Sequence, residues 1–320
     1  SDGTADGLPL LRTKNSTTNA SVDPHFDKDF LQGKNAFNTV LGKVYEDVSF
    51  PLKQKAVFAQ DPNRPDDNDP EGKAKYWYYD SNETSLYLKQ GSARQSYYLV
   101  GDGINEASHN RDAGNKTDNM GDGFFPFNEA VTGSAPQYNY GFGAKLQFDF
   151  TLTENGKVIV RTDSSGKNIE VPIKFFFSGD DDVWVYIDGE LVLDVGGAHG
   201  KASGLLEFGE NNTVTPYVSS NKNTDSNDTM VYEDYGSGET VKTVKYNGQS
   251  ITFNKKGTTK TLENQSTHTL TMYYMERGMW ESNMAVAFNF PDHNELQVEK
   301  QVDADGVREK LQSYFTDPTL

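Results

Sequence analysis

Three consecutive aspartates, Asp180, Asp181 and Asp182, stand between the apolar runs "FFF" at 175–177 and "VWVY" at 183–186. Carboxylates this close repel one another and disfavour their own ionised forms. A hard cation removes that cost, and calcium in particular takes about six to eight oxygen ligands from carboxylates, amides and backbone carbonyls. A solvated acidic turn is the plainer reading of a charge run in an acidic protein. The flanking aromatic and β-branched residues argue for the ligand reading, because they set the aspartates where a chain leaves a core. Nearby, "VGGAHG" supplies glycines that let backbone approach a ligand, together with His199, and "ERGMWESNM" supplies Glu276, Arg277, Glu281, Ser282 and Asn283.

Other chemistries fit less well. A glycosidase needs two carboxylates roughly 5–10 Å apart on either side of a scissile bond, and sequence neighbours cannot straddle one, although Glu276 or Glu281 with Asp181 would be a conceivable pair. The five histidines, at 25, 109, 199, 268 and 293, are scattered, and no nucleophile-elbow, zinc or phosphate-loop pattern is present. The chain is therefore expected not to be an enzyme.

The elements that must position the aspartates read as strands. In "GFGAKLQFDFTL" the residues Phe142, Ala144, Leu146, Phe148 and Phe150 alternate with period two. "VIVRTD" and "VPIKFFFSG" continue the pattern, and "VWVYIDGELVLDVGG" predicts a hairpin turning at Asp188 and Gly189. Further strands are expected around 44–58, in "ETVKTVKYNG" and "QSITFNKKG", and on both sides of a polar turn in "STHTLTMYYMERGMWESNMAVAFNFP". "YWYYDSNETSLYLK" predicts a hairpin about Asp80, Ser81 and Asn82. Residues 101–130 form a connection long enough to be functional in its own right. No amphipathic helix of three turns is legible between 40 and 292, so the expected fold is all-β: a two-sheet antiparallel β-sandwich with long inserted loops.

Composition narrows the setting. The 320-residue chain carries a net charge of −17, which excludes a basic footprint for nucleic acid. It has no run of about 20 apolar residues to span a membrane. It contains 0 Cys, a usage that fits an exported Gram-positive bacterial protein better than an animal secreted one.

"FFFSGDDDVWVYIDGELVLDVGGAHG" followed by "YYMERGMWESNMAVAF", with "GDGFFPFNEA" at 121–130 and "NYGFGAKLQFDF" at 139–150, resembles the fibro-slime domain. That family is itself similar to the sugar-binding β-sandwich named after the anthrax protective antigen and found in flocculin-type adhesins. The resemblance covers roughly 40–292. It implies a calcium ion held by two consecutive aspartates, often joined by a cis peptide, ahead of an "IDG" turn. Asp180 and Asp181 match that pair, but Asp182 stands where those lectins often have glycine, which leaves Asp181 and Asp182 as the alternative pair. The resemblance further implies ligands from loops across the site: Asn283 with Ser282, and Asp102, Asn105, Asp118 and Asp122. Trp280 would offer a stacking face, unless it is a core residue, and His199 a hydrogen bond, with Glu281 beside them.

The expectations follow: an extended lead-in over 1–35, the sandwich over 36–292, and from 293 to 320 a linker with the first strand of a following domain, or else a strand closing the same sandwich. The implied function is an extracellular adhesin or pilus-tip domain, part of a larger multidomain surface protein, binding a glycan or a host or neighbouring-cell surface ligand through calcium. The alternative is a purely structural calcium-stabilised module. Surface sandwiches of this kind often carry Lys–Asn cross-links; Lys145 and Lys174 are nominal candidates, with an exposed surface lysine the plainer reading of each.

Overall fold

The computed structural model describes residues 2–3, 9–10, 45, 48, 50–59, 68–90, 97–103, 123–127, 142–180, 182–196, 201–219, 241–265, 267–276 and 282–291. In chain order the strands are β1 (Asp2–Gly3), β2 (Pro9–Leu10), β3 (Lys53–Lys55), β4 (Tyr76–Asp80), β5 (Thr84–Gln90), β6 (Tyr97–Gly103), β7 (Phe142–Phe150), β8 (Lys157–Thr162), β9 (Asn168–Pro172) and β10 (Lys174–Asp180). They continue with β11 (Asp182–Ile187), β12 (Glu190–Val195), β13 (Ala202–Gly209), β14 (Thr213–Ser219), β15 (Val241–Tyr246), β16 (Gln249–Lys255), β17 (Lys260–Thr261), β18 (His268–Glu276) and β19 (Asn283–Phe288). Among the described residues the only α-helix is a single turn, Pro70–Lys73, and none is long and apolar enough to cross a membrane.

The fold is all-β. A nine-stranded sheet runs β15-β16-β14-β13-β10-β19-β4-β3, with β17 also on β14, and faces a four-stranded sheet ordered β12-β11-β18-β7. Every described ladder in them is antiparallel. The core between them interleaves Phe175, Phe177, Leu206, Met284, Val286 and Phe288 of the large sheet with Val183, Val185, Leu270, Met272 and Tyr274 of the small one. The alternation expected over 142–150 is present: Lys145, Gln147 and Asp149 are exposed while Phe142 and Phe150 are buried. Asp188 (φ 52°) and Gly189 (φ 82°) form the expected hairpin turn between β11 and β12, a left-handed pair that matches the twist of the flanking strands.

β10 is buried on both faces, which explains three consecutive phenylalanines. Phe175 and Phe177 enter the inter-sheet core, while Phe176 points the other way into a second core with Phe58, Tyr76, Leu205 and Tyr246. This outer core is roofed by the 57–59 segment, the β8–β9 hairpin and the tip of the β15–β16 hairpin. The tip is fastened there: the Asn247 amide donates to the Val57 carbonyl at 2.8 Å, and the Tyr246 hydroxyl to Asp80 Oδ2 at 3.0 Å.

Three expectations are corrected. β4 and β5 do not pair with each other; β4 pairs with β3 and β19, and β5 with β6. The turn at 81–83 exists, but Ser81 is claimed by β19, its amide donating to the Met284 carbonyl at 2.9 Å and its Oγ accepting from the Met284 amide at 3.0 Å. Within 50–58 only Lys53–Lys55 is strand. Lys174 is buried, its Nζ paired with Glu71 and 5.2 Å from the Phe58 ring centre, whereas Lys145 is exposed. In the lead-in, β1 and β2 pair as a short ladder; residues 11–44 and 292–320 lie outside the described residues.

Candidate functional site

The aspartates sit where the chain changes sheet. Asp180 is the last residue of β10 in the large sheet and Asp182 the first of β11 in the small one. A second crossing runs antiparallel beside it: β18 ends at Glu276 in the small sheet and β19 begins at Asn283 in the large one. The register aligns the two, with Asp180 opposite Asn283 and Asp182 opposite Met275. A continuous period-two pattern hides such a switch, because both sheets keep the same inner face.

The carboxylates are not on an exposed turn. Asp180 is 5% exposed, Asp182 0% and Glu276 2%. Asn283 Nδ2 donates to Asp180 Oδ2 at 3.1 Å. Beneath them the Tyr274 hydroxyl lies 2.5 Å from the Asp180 carbonyl oxygen, 2.7 Å from Ser282 Oγ and 3.3 Å from Glu276 Oε2. Burial drives the Tyr274 phenol well above the ordinary tyrosine range; the Ser282 hydroxyl opposes this, and the carboxylates of Glu276 and Asp180 reinforce it. The phenol therefore stays protonated, a donor at any physiological pH.

Ser282 Oγ donates to the Phe124 carbonyl at 2.7 Å, and the Phe124 amide donates back to the Ser282 carbonyl at 2.7 Å. That clasp needs glycine at 123: Gly123 has φ +85°, and a Cβ there would stand 2.1 Å from the Ser282 carbonyl oxygen. Phe124 and Phe125 are buried in turn, and the Leu88 amide of β5 donates to the Pro126 carbonyl at 2.9 Å. The two crossings, the 123–127 segment and the β5–β6 hairpin thus form one connected rim.

On the outer face of the large sheet the same end carries a buried polar row. Ser203 Oγ donates to Ser178 Oγ at 2.8 Å, and the Ser203 amide donates to Ser219 Oγ at 2.9 Å. Asp80 continues the row on β4, accepting from the Asn82 amide at 2.9 Å and the Tyr246 hydroxyl at 3.0 Å. Sequence reasoning passed over Tyr274, Ser178, Ser203 and Ser219, and read Asp80 only as a turn residue. The available signal was a lone serine or aspartate ending an apolar run, as in "FFFSG" and "YWYYD".

Of the residues expected at the site, Asp180, Ser282 and Asn283 come together at this rim, whereas Asp182 pairs with Met275 in the small sheet, in step with Trp184 and Tyr273 on its outer face. Asp102 lies on β6 opposite Ser85. Asn105, Asp118, Asp122, Asp181, His199, Arg277, Trp280 and Glu281 lie outside the described residues. The donors present are of the right kind for a hard cation: carboxylate and amide oxygens near a strand end. Among the described residues, no three His, Cys, Asp or Glu side chains stand close enough to hold a metal ion by themselves.

The chain matches no protein-family model and no solved structure. It is similar in part to proteins of Dictyostelium discoideum. It is 30% identical to Protein psiO over 174 residues, 53% of this chain and 20% of that protein. Protein psiF is 35% identical over 91 residues, 27% of this chain and 12% of that protein. Protein psiQ is 62% identical over a short stretch of 29 residues, 9% of this chain and 3% of that protein. The chain thus spans a fifth or less of the length of each of these relatives.

Proposed function

We propose that this chain is a fibro-slime-type adhesin domain that holds calcium at the paired sheet crossing and binds a glycan or other cell-surface ligand there, without chemical turnover. The observation that carries the reading is the burial of Asp180 and Asp182, 5% and 0% exposed, on either side of a one-residue step between sheets. Burying two carboxylates in a low-dielectric rim is costly, and a divalent cation offsets the cost. Asp180, Asp181 and Asn283 would hold the ion, with Asp182 as the alternative member of the pair. Calcium supplies a positive centre for vicinal hydroxyls when bound; the chain itself excludes water below the site with Phe124, Phe142 and Tyr274 and fixes the Asp180 carboxylate through Asn283.

The protein bearing this domain is proposed to be extracellular, on a Gram-positive cell surface, as one module of a larger chain. The support is the sequence resemblance, the absence of cysteine and the acidic charge. The purely structural alternative draws on the same burial, because a rim tied this closely to the core would gain rigidity from an ion with no open position. A glycan array probed with and without EDTA separates the two. Calcium-dependent glycan binding that Asp181→Ala abolishes supports the adhesin; silence on the array, with thermal stability lost in EDTA, supports the scaffold.

A further inference from the structure

We infer that Tyr274 is the positioning residue of the cation site and that, through Ser282, it couples the site to the 123–127 segment. The inference rests on the calcium reading above but concerns residues that the reading does not use. Tyr274 is fully buried and reaches the site from β18, in the opposite sheet from Asp180. Its hydroxyl donates to the Asp180 carbonyl oxygen at 2.5 Å, the shortest of its three polar contacts. That carbonyl is the last of β10, so the bond fixes the end of the strand that carries the Asp180 carboxylate.

Proton counting shows why the two hydroxyls act together. Tyr274 and Ser282 have one hydroxyl hydrogen each. Between them they face the carbonyls of Asp180 at 2.5 Å and Phe124 at 2.7 Å, and each other at 2.7 Å. With the Tyr274 hydrogen on the Asp180 carbonyl and the Ser282 hydrogen on the Phe124 carbonyl, the two hydroxyl oxygens stand 2.7 Å apart with no hydrogen left between them, so a shift of one displaces the other. A pull on the Asp180 peptide by a bound cation is therefore felt at Phe124, whose amide is held by the Ser282 carbonyl at 2.7 Å. Supporting hydrogen bonds of this kind commonly change metal affinity by about 10- to 100-fold when removed.

The test is a calorimetric titration with calcium chloride of the wild-type chain, Tyr274→Phe, Ser282→Ala and Tyr273→Phe, with hydrogen exchange at the Phe124 amide in calcium and in EDTA. Tyr273 lies on the other face of β18 beside Trp184 and Tyr186 and serves as the control. Tyr274→Phe should weaken calcium binding by about 10-fold or more and remove the calcium-induced protection of the Phe124 amide. Ser282→Ala should lose the protection of the Phe124 amide, and Tyr273→Phe should behave as wild type. Wild-type affinity in Tyr274→Phe, or equal weakening in Tyr273→Phe, overturns the positioning role alone. If Tyr274→Phe does not fold, Ser282→Ala decides: protection retained there overturns the coupling. A wild-type chain that takes up no calcium overturns the cation reading, and this inference with it.

Discussion

Asp180 and Asn283 face each other across adjacent strands, the amide of one 3.1 Å from the carboxylate of the other, at the point where both strands leave the large sheet. The pair joins two sheet crossings that are 103 residues apart in sequence. Its geometry sets the first prediction. Asn283→Ala removes a donor from a buried carboxylate and should destabilise the metal-free chain by about 1–3 kcal/mol. Urea denaturation in EDTA measures this.

Two glycines with similar backbone angles should respond very differently to alanine. Gly189 has φ +82°, and a Cβ added there would meet nothing within 4 Å, so Gly189→Ala costs only left-handed strain, about 1 kcal/mol. Gly123, at φ +85°, would also drive its Cβ to 2.1 Å from the Ser282 carbonyl oxygen. Gly123→Ala should therefore cost about 3 kcal/mol or more and loosen the rim; paired denaturation curves compare the two.

The lysines separate by burial. Lys174, buried under Phe58 and paired with a Glu71 that is 26% exposed, should cost about 2 kcal/mol when changed to alanine, less than a fully buried pair would. Lys145, exposed on β7, should stay within about 0.5 kcal/mol of wild type on the same change. Thermal unfolding of Lys174→Ala and Lys145→Ala reads the difference.

Stability should fall at high pH through the buried phenols. Burial is the leading cause that pushes Tyr76, Tyr79, Tyr246 and Tyr274 well above their ordinary range. Their folded values are raised, so their contribution is complete below the unfolded value of about 10 and is lost as pH climbs above it. Each tyrosine contributes up to about 1.4 kcal/mol per pH unit there. Urea midpoints should hold level up to about pH 9 and drop steeply beyond pH 10; Tyr274→Phe should make that drop shallower by one proton.

Much of this fold is legible in the sequence because its signals are local. The alternation from Phe142 to Phe150 and the left-handed turn at Asp188–Gly189 depend on near neighbours alone. The hairpin read about Ser81 failed for a non-local reason, the competing bonds between Ser81 and Met284. The aspartate run was legible as a break between two apolar runs. That its members end strands in two different sheets was not, since the hydrophobic pattern of a strand is the same on either side of such a step. Tyr274 was hidden for the same reason, reading as one more core aromatic until the register set its hydroxyl under Asp180.

The most direct test of the central claim is a calorimetric titration of the wild-type chain and Asp180→Asn with calcium chloride after EDTA treatment. The account predicts saturable calcium binding by the wild type, raised thermal stability in calcium, and loss of both in Asp180→Asn, which keeps the side chain's shape without its charge. No calcium binding by a folded wild-type chain, or equal binding by Asp180→Asn, would contradict it.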